Sequence, residues 1–237
     1  MASSSRVRRV QACLVILIVP TLSVCSSAPP EGRQVSDSPE VTLSLQADAL
    51  VQSEPLFSNG RAFFSDVTGN IYSYDTESGR QLWSHHIGAA TTSSPALVGD
   101  LIVVGGNDGA LHALEVGTGA ERWAYEVSGW VGTKPAHSGN QIIFGSDDGG
   151  VYAVNVESGT LDWSVQTGAA VRSSPAVDGG TVFVGSDDNH IYGLALDSGS
   201  IVWRFRTNGA VRSAPVVSGG LLLFGSQDNY LYAVDVS

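Results

Sequence analysis

Few side chains in this sequence could do chemistry, and their positions narrow what that chemistry can be. The only two cysteines, Cys13 and Cys25, both lie in the first 25 residues. The rest of the chain has no thiolate to act as nucleophile or metal ligand and no disulfide. No histidine recurs beside a serine in a spacing that would activate a hydroxyl. His85 and His86 follow two residues after Trp83, on a stretch expected to face solvent. Asp108, Asp147, Asp148, Asp187, Asp188 and Asp228 are candidate calcium ligands. Their spacing lacks the run of oxygen donors of a dedicated calcium loop, and ordinary turn chemistry accounts for them. Arg172 and Arg212 share one slot of an internal repeat and have the planar fork that pairs with carboxylates. No catalytic residue, metal site or cofactor is expected on these grounds.

The elements that must position these residues repeat every 40 positions. Proline recurs at 55, 95, 135, 175 and 215, and tryptophan at 83, 123, 163 and 203. Phe64, Val104, Phe144, Val184 and Phe224 keep the same spacing, as do Ile71, Leu111, Val151, Ile191 and Leu231. Within a repeat, TVFVG (181–185) is an apolar β-branched strand and Asp187-Asp188-Asn189 a tight turn. IYGLAL (191–196) returns, and IVWRFR (201–206) is a more polar outer strand. A short strand near Ser174-Pro175-Ala176 comes first, at a sheet edge where proline is tolerated. Four short antiparallel strands per period of about 40 residues make one blade of a β-propeller, so the fold class is all-β.

Five copies of the first three strands are present but only four tryptophan-bearing fourth strands. VTLSLQADALVQSEP (41–55) aligns with LDWSVQTGAAVRSSP (161–175), which puts Leu43 in the tryptophan slot. Residues from 41 are therefore expected to supply the missing fourth strand of the last blade and close a five-bladed ring without an unpaired edge. The rival reading is a piece of a larger ring.

Three arginines, Arg6, Arg8 and Arg9, precede an apolar run at 10–24, the layout of a signal peptide over residues 1–25. LSVC at Leu22–Cys25 resembles the bacterial lipobox, which would make Cys25 a lipidated first residue, although Val24 departs from its small-residue preference. Ordinary cleavage around Ser26–Ala28, or an uncleaved anchor, is the alternative. Residues 26–40 are Ser, Pro and charge without period, a flexible linker, and the propeller domain spans 41–237. The formal charge of −11 falls to about −14 without the leader, and Lys134 is the only lysine. Such a body is unsuited to nucleic acid, and would meet a membrane only through a lipid anchor.

The pattern SSPA…VFVGS-D-G-YALD-SG-W resembles the PQQ-like, quinoprotein-type β-propeller repeat over residues 41–237. That family includes quinoprotein alcohol dehydrogenases, the BamB type of outer-membrane assembly lipoprotein and extracellular domains of bacterial Ser/Thr kinases. The resemblance implies that Trp83, Trp123, Trp163 and Trp203 are structural, each docking on a neighbouring blade. It also implies eight-bladed rings for the dehydrogenases, with calcium-binding carboxylates, a catalytic aspartate and a disulfide of adjacent cysteines. This chain has five repeats and no cysteine after Cys25, so no enzyme is expected. A fold by itself does not confer a function.

Slots that depart from the repeat are the candidate partner-binding residues. Trp130 replaces Ala90, Ala170 and Ala210; Lys134 replaces a Ser or Ala; His137 replaces Phe57, Leu97, Val177 and Val217. Arg172 and Arg212 should lie near the channel mouth on the same face as Trp130, with the turn aspartates farther out. The leading expectation is a non-catalytic, exported scaffold, periplasmic or extracellular, either secreted or anchored by a lipid on Cys25. It would be a monomer binding envelope or extracellular proteins, in the style of outer-membrane assembly factors. An extracellular sensor of small ligands or carbohydrate is the alternative, and a fragment of a PQQ-dependent dehydrogenase ranks third.

Overall fold

The computed structural model describes residues 42–236 and the backbone of residues 8 and 9. The leader, Cys25 and the 26–40 linker otherwise lie outside the described residues. The described chain forms five four-stranded antiparallel sheets and no helix. First strands are Leu56–Ser58, Ala96–Val98, Ala136–Ser138, Ala176–Asp178 and Val216–Ser218. Second strands are Arg61–Ser65, Leu101–Gly105, Gln141–Gly145, Thr181–Gly185 and Leu221–Gly225. Third strands are Asn70–Asp75, Ala110–Glu115, Gly150–Asn155, His190–Ala195 and Leu231–Asp235. Fourth strands, in blades 1 to 4, are Gln81–His86, Glu121–Glu126, Leu161–Gln166 and Ile201–Arg206.

Between third and fourth strands the register slips once in each of blades 1 to 4, next to the tryptophan. The tryptophan lies opposite a small residue, as in Ala153↔Trp163 and Gly193↔Trp203. A Cβ at Gly193 would sit 2.5 Å from the Trp203 ring, so that slot must stay small. Each indole then crosses to the next blade. The Nε1–H groups of Trp83, Trp123 and Trp163 donate to the carbonyls of Val116, Val156 and Leu196 at 2.8–2.9 Å. Gly159, at φ +67°, lies so close beneath Trp123 that a side chain there would strike the ring as well as strain the backbone.

The core lies between blades. Val103, Leu111 and Ala113 of blade 2 pack on Val131, Ile142, Phe144 and Val154 of blade 3. The same arrangement joins blades 3 and 4, and blades 4 and 5. Two faces per sheet must be covered, which explains second strands such as LIVVG, buried at every position. Around the axis, serines tie blade to blade. Ser93 Oγ donates to Thr133 O and Ser173 Oγ to Ser213 O, both at 2.8 Å and 40 residues apart. Lys134 N donates to Ser174 Oγ across the joint between blades 3 and 4.

The expected closure is not seen. Residues 42–50 form no strand, and the place beside the last blade's third strand is held by Arg8–Arg9, paired with Ala233 and Tyr232. The reason is that the segment before blade 1 is held by blade 1 itself. The Asp48 amide donates to Tyr72 Oη, Tyr74 Oη donates to Gln46 O, and Val51 bridges Asp66. Leu45 and Ala47 pack on Phe64, Tyr72 and Tyr74. Leu43 nevertheless occupies the tryptophan position relative to blade 1. A Cβ at Gly79 would meet Leu43 Cδ1 at 3.3 Å, as one at Gly119 would meet the Trp83 ring at 2.6 Å.

Trp163→Ala is expected to lose about 3–5 kcal/mol in denaturant unfolding, through the cavity it leaves between blades 3 and 4. Ser73 Oγ is the one buried side-chain polar atom among the described residues without a partner. Ser73→Ala should therefore raise stability by about 1 kcal/mol, and a loss of that size would contradict this packing.

Candidate functional site

One face of the disc is built from the turns between second and third strands and from the links that enter each first strand. The two are locked together. The turn amides of Asn107, Asp147, Asp187 and Gln227 donate to the carbonyls of Ala90, Trp130, Ala170 and Ala210. Val67 does the same to Leu50. Trp130 thus has the backbone position that alanine holds in three blades and Leu50 in the first. Its side chain is 58% exposed and that of Leu50 63%.

The position of Trp130 is set by aspartates. Asp148 Oδ2 accepts from the Ser128 amide at 3.1 Å and from Tyr152 Oη at 2.9 Å, bracing the turn that presents the indole. The neighbouring Asp147 takes a two-pronged contact from Arg172, Nε and Nη2 both at 2.9 Å. Arg172 Nη1 reaches Asp187 at 3.2 Å, and Arg212 grips Asp187 at 2.7 and 2.8 Å. Asp147, Arg172, Asp187 and Arg212 therefore alternate in a single chain of ion pairs. This corrects the sequence expectation for the acids. Two of them, Asp147 and Asp187, do not stand at a distance but pair with the arginines, because the turn of one blade lies beside the link into the next. Exposed pairs of this kind add little stability, but two-pronged contacts fix the direction of each guanidinium.

Thr92, Asn107, Trp130, Gly132, Asp147 and Arg172 line a cavity of about 280 Å³. Thr92 and Gly132 also border a second cavity of about 430 Å³ at the mouth of the central channel. Glu54, Ser94, Lys134, Ser174 and Ala214, one residue from each blade in the same slot, line the second. Lys134 Nζ meets Glu54 Oε2 at 2.9 Å across this mouth. Two repeats separate them, and the convergence of the first strands brings them together. Trp130 and Arg172 thus share one cavity, Lys134 stands at the adjoining one, and Arg212 connects through Asp187. His137 is exposed on the first strand of blade 3, opposite Ile142, and lines neither cavity. Trp83, Trp123, Trp163 and Trp203 lie in the joints between blades. Thr92, Asn107 and Glu54 are members of the face that did not stand out in sequence, since their types are unremarkable for loops.

Beneath the face runs a tier of tyrosine–carboxylate bonds. Tyr72 donates to Asp66, Tyr152 to Asp148, Tyr192 to Asp188 and Tyr232 to Asp228, at 2.6–2.9 Å. In blade 2, His112 fills the tyrosine slot, with its ring nitrogens 3.1 Å from Asp108 and 2.8 Å from Glu121. Burial alone would raise the Asp66 carboxyl, but hydrogen bonds from Asn70, Thr68 and Tyr72 outweigh it and hold the group far below the usual range. Burial followed by the Asp188 carboxylate pushes the Tyr192 hydroxyl up to about 12, and burial with Asp148 does the same to Tyr152. Asp188 is held low. Burial opposes this, and bonds from Tyr192, Gly168 and His190 overcome it.

The family model described as outer membrane protein assembly factor BamB matches residues 32–128, 67–175 and 167–237. No curated protein matches the sequence. Among solved structures, BamB from Moraxella catarrhalis superposes with a TM-score of 0.71 at 24% identity, covering 82% of this chain and 65% of that one. This chain therefore spans less than two thirds of that relative. The computationally designed Ika8 protein superposes at 0.61 with 16% identity, covering 82% and 74%. A quinohemoprotein alcohol dehydrogenase from Pseudomonas putida HK5 superposes at 0.68 with 16% identity, covering 81% of this chain and 41% of that one. At these identities the solved structures establish the fold alone.

The buried tyrosine–aspartate pairs make stability depend on pH in two windows. A lowered carboxyl stabilises the fold above the unfolded carboxylate range, and that contribution is lost as pH falls through the lowered value. A raised tyrosine contributes fully below its ordinary 10.0, and its share is lost as pH rises through about 12. Melting temperature should be level from about pH 5 to 9 and fall on both sides. Asp188→Asn should shrink the acid fall and Tyr192→Phe the alkaline one, each variant starting from a lower plateau. An unchanged pH profile in both would remove these pairs from the account.

Proposed function

Since the chain belongs to the family of the outer membrane protein assembly factor BamB, we propose that it is a non-catalytic cell-envelope propeller. It would hold other envelope proteins on the face that carries Trp130. The observation that carries this reading is Trp130 itself. It is the one tryptophan outside the blade joints, standing 58% exposed on a braced turn beside the oriented guanidinium of Arg172. Large aromatics and arginines are favoured anchors of protein interfaces. An exported protein fits this use, and a lipid on Cys25 would keep the disc at a membrane surface. What supports the non-catalytic part of this reading is that no cysteine follows Cys25 and that Arg172 and Arg212 pair with Asp147 and Asp187.

Replacing Trp130 with a photo-crosslinking residue in the native host tests the docking face, with Ser164 on an outer strand as control. The expected result is adducts to envelope assembly proteins from position 130, none from 164, and a loss of at least tenfold in the Arg172→Ala/Arg212→Ala variant. That double variant should keep the parental melting temperature within a few degrees. Adducts equal at both positions, or unaffected by the arginines, would defeat the proposal. Quenching of Trp130 fluorescence by a small sugar without any protein adduct would favour the ligand-binding alternative, to which the cavity beside the indole is suited. Intact mass of membrane-fraction protein should show acyl chains on Cys25 that vanish in Cys25→Ser. Cleavage elsewhere would make the protein a secreted one.

A further inference from the structure

The cavity beside Trp130 has a template on the same face. Two residues past the Trp130 slot, the links into the five blades carry Gln52, Thr92, Gly132, Arg172 and Arg212. Both arginines reach back to the turn of the preceding blade with the same two nitrogens, Nε and Nη2. Arg172 holds Asp147 in this way, both contacts at 2.9 Å, and Arg212 holds Asp187 at 2.7 and 2.8 Å. Arg172 also touches the turn of its own blade, donating from Nη1 to Asp187 at 3.2 Å. The space between two consecutive turns is therefore a seat for a guanidinium. At the turns of blades 3 and 4 the chain fills that seat itself.

Between the turns of blades 2 and 3 the same seat exists and the chain supplies nothing to it. Gly132 has no side chain, and the 280 Å³ cavity lies where an arginine from that slot would run. Asn107 and Asp147 line it, standing as Asp147 and Asp187 stand about Arg172. Among the described residues the Asn107 side chain has no hydrogen-bond partner. Asp147 accepts two bonds, both from Arg172, whereas Asp187 accepts three from two arginines. A carboxylate has about four acceptor sites, so Asp147 has room for a third bond. The alternating row of charges thus ends on an acid at the cavity. The Trp130 indole lines the same space, and aromatic rings attract cations.

The geometry points to an arginine side chain of the docked protein as the occupant of this seat. Its guanidinium lies beside the Trp130 indole and donates to Asp147 and to Asn107 Oδ1, as Arg172 donates to Asp187 and Asp147. A cation is called for by the acid that ends the row and by the formal charge of −11, which draws positively charged partners. Arginine suits the seat better than lysine, because two acceptors on separate turns beside a flat ring match a planar fork and not a point charge. The source of the arginine rests on the docking reading of this face; the seat rests on the two filled copies within the chain.

The test titrates capped arginine, capped lysine and capped glycine, each acetylated and amidated, into the full chain. The readout is the NMR signal of the Trp130 indole N–H, identified by its loss in Trp130→Phe. A saturable shift with arginine is expected, about fivefold weaker binding with lysine, and no shift with glycine. Asn107→Asp, which supplies the acid that the blade 3 turn offers Arg172, should tighten arginine by about threefold. Gly132→Arg should abolish the binding by seating the chain's own guanidinium. Gly132 lies outside the left-handed region and a Cβ there meets the movable Thr92 hydroxyl at 3.3 Å, so the melting temperature should stay within a few degrees. In the native host, Gly132→Arg should also remove the adducts formed from position 130. Adducts that survive it, lysine bound as tightly as arginine, or unchanged affinity in Asn107→Asp would overturn the arginine assignment and leave the docking face standing. An arginine shift without any adduct in the parent would defeat the docking reading, and with it the partner as the source.

Discussion

The joint between consecutive blades is the interaction on which the rest of the molecule depends. A sheet in this fold has two apolar faces, and neither can be covered except by a neighbouring sheet. Trp123 shows the terms of the joint: it lies opposite a small residue in its own blade, over a glycine of the next, with its indole N–H satisfied by a carbonyl there. Because one geometry must serve every joint, the strands begin at intervals of 40 residues in all five blades, save one residue later in the last third strand.

Polar groups near the axis and under one face turn that stack into a fixed disc. The serines that look like repetitive loop filler in SSP are buried bridges between blades. The tyrosine–aspartate tier anchors the turns, and one of its aspartates, Asp148, also holds the turn that lifts Trp130 from the surface. A site built this way is rigid because its supports are also the supports of the fold.

Function in such a molecule sits where the repeat is broken. Equal blades create equal surfaces, so departures such as Trp130, Lys134, His137 and the Arg172–Arg212 pair distinguish one sector from another. The structure gathers Trp130, Arg172 and Lys134 around two adjoining cavities, links Arg212 to them through Asp187, and leaves His137 apart. It also turns the arginines inward on Asp147 and Asp187, so that they frame the indole as oriented, charge-compensated groups.

The architecture was legible in the sequence because the physical requirement behind it recurs: proline before each first strand, apolar second strands, turn aspartates and a tryptophan every 40 residues. Trp130 was legible as well, as a departure from alanine at its slot. The pairing of Arg172 with Asp147, and of Lys134 with Glu54, was not, because each joins residues of different blades that only the packing of sheets about an axis brings together. The fate of residues 42–50 was decided in the same way. Their pattern is that of a fourth strand, and Leu43 does take the tryptophan position. Yet hydrogen bonds to Tyr72 and Tyr74 bind the segment to blade 1 and leave its own sheet unmade. Side-chain pattern determines which face a strand can cover, whereas the backbone edge it pairs with depends on what the assembled fold places within reach.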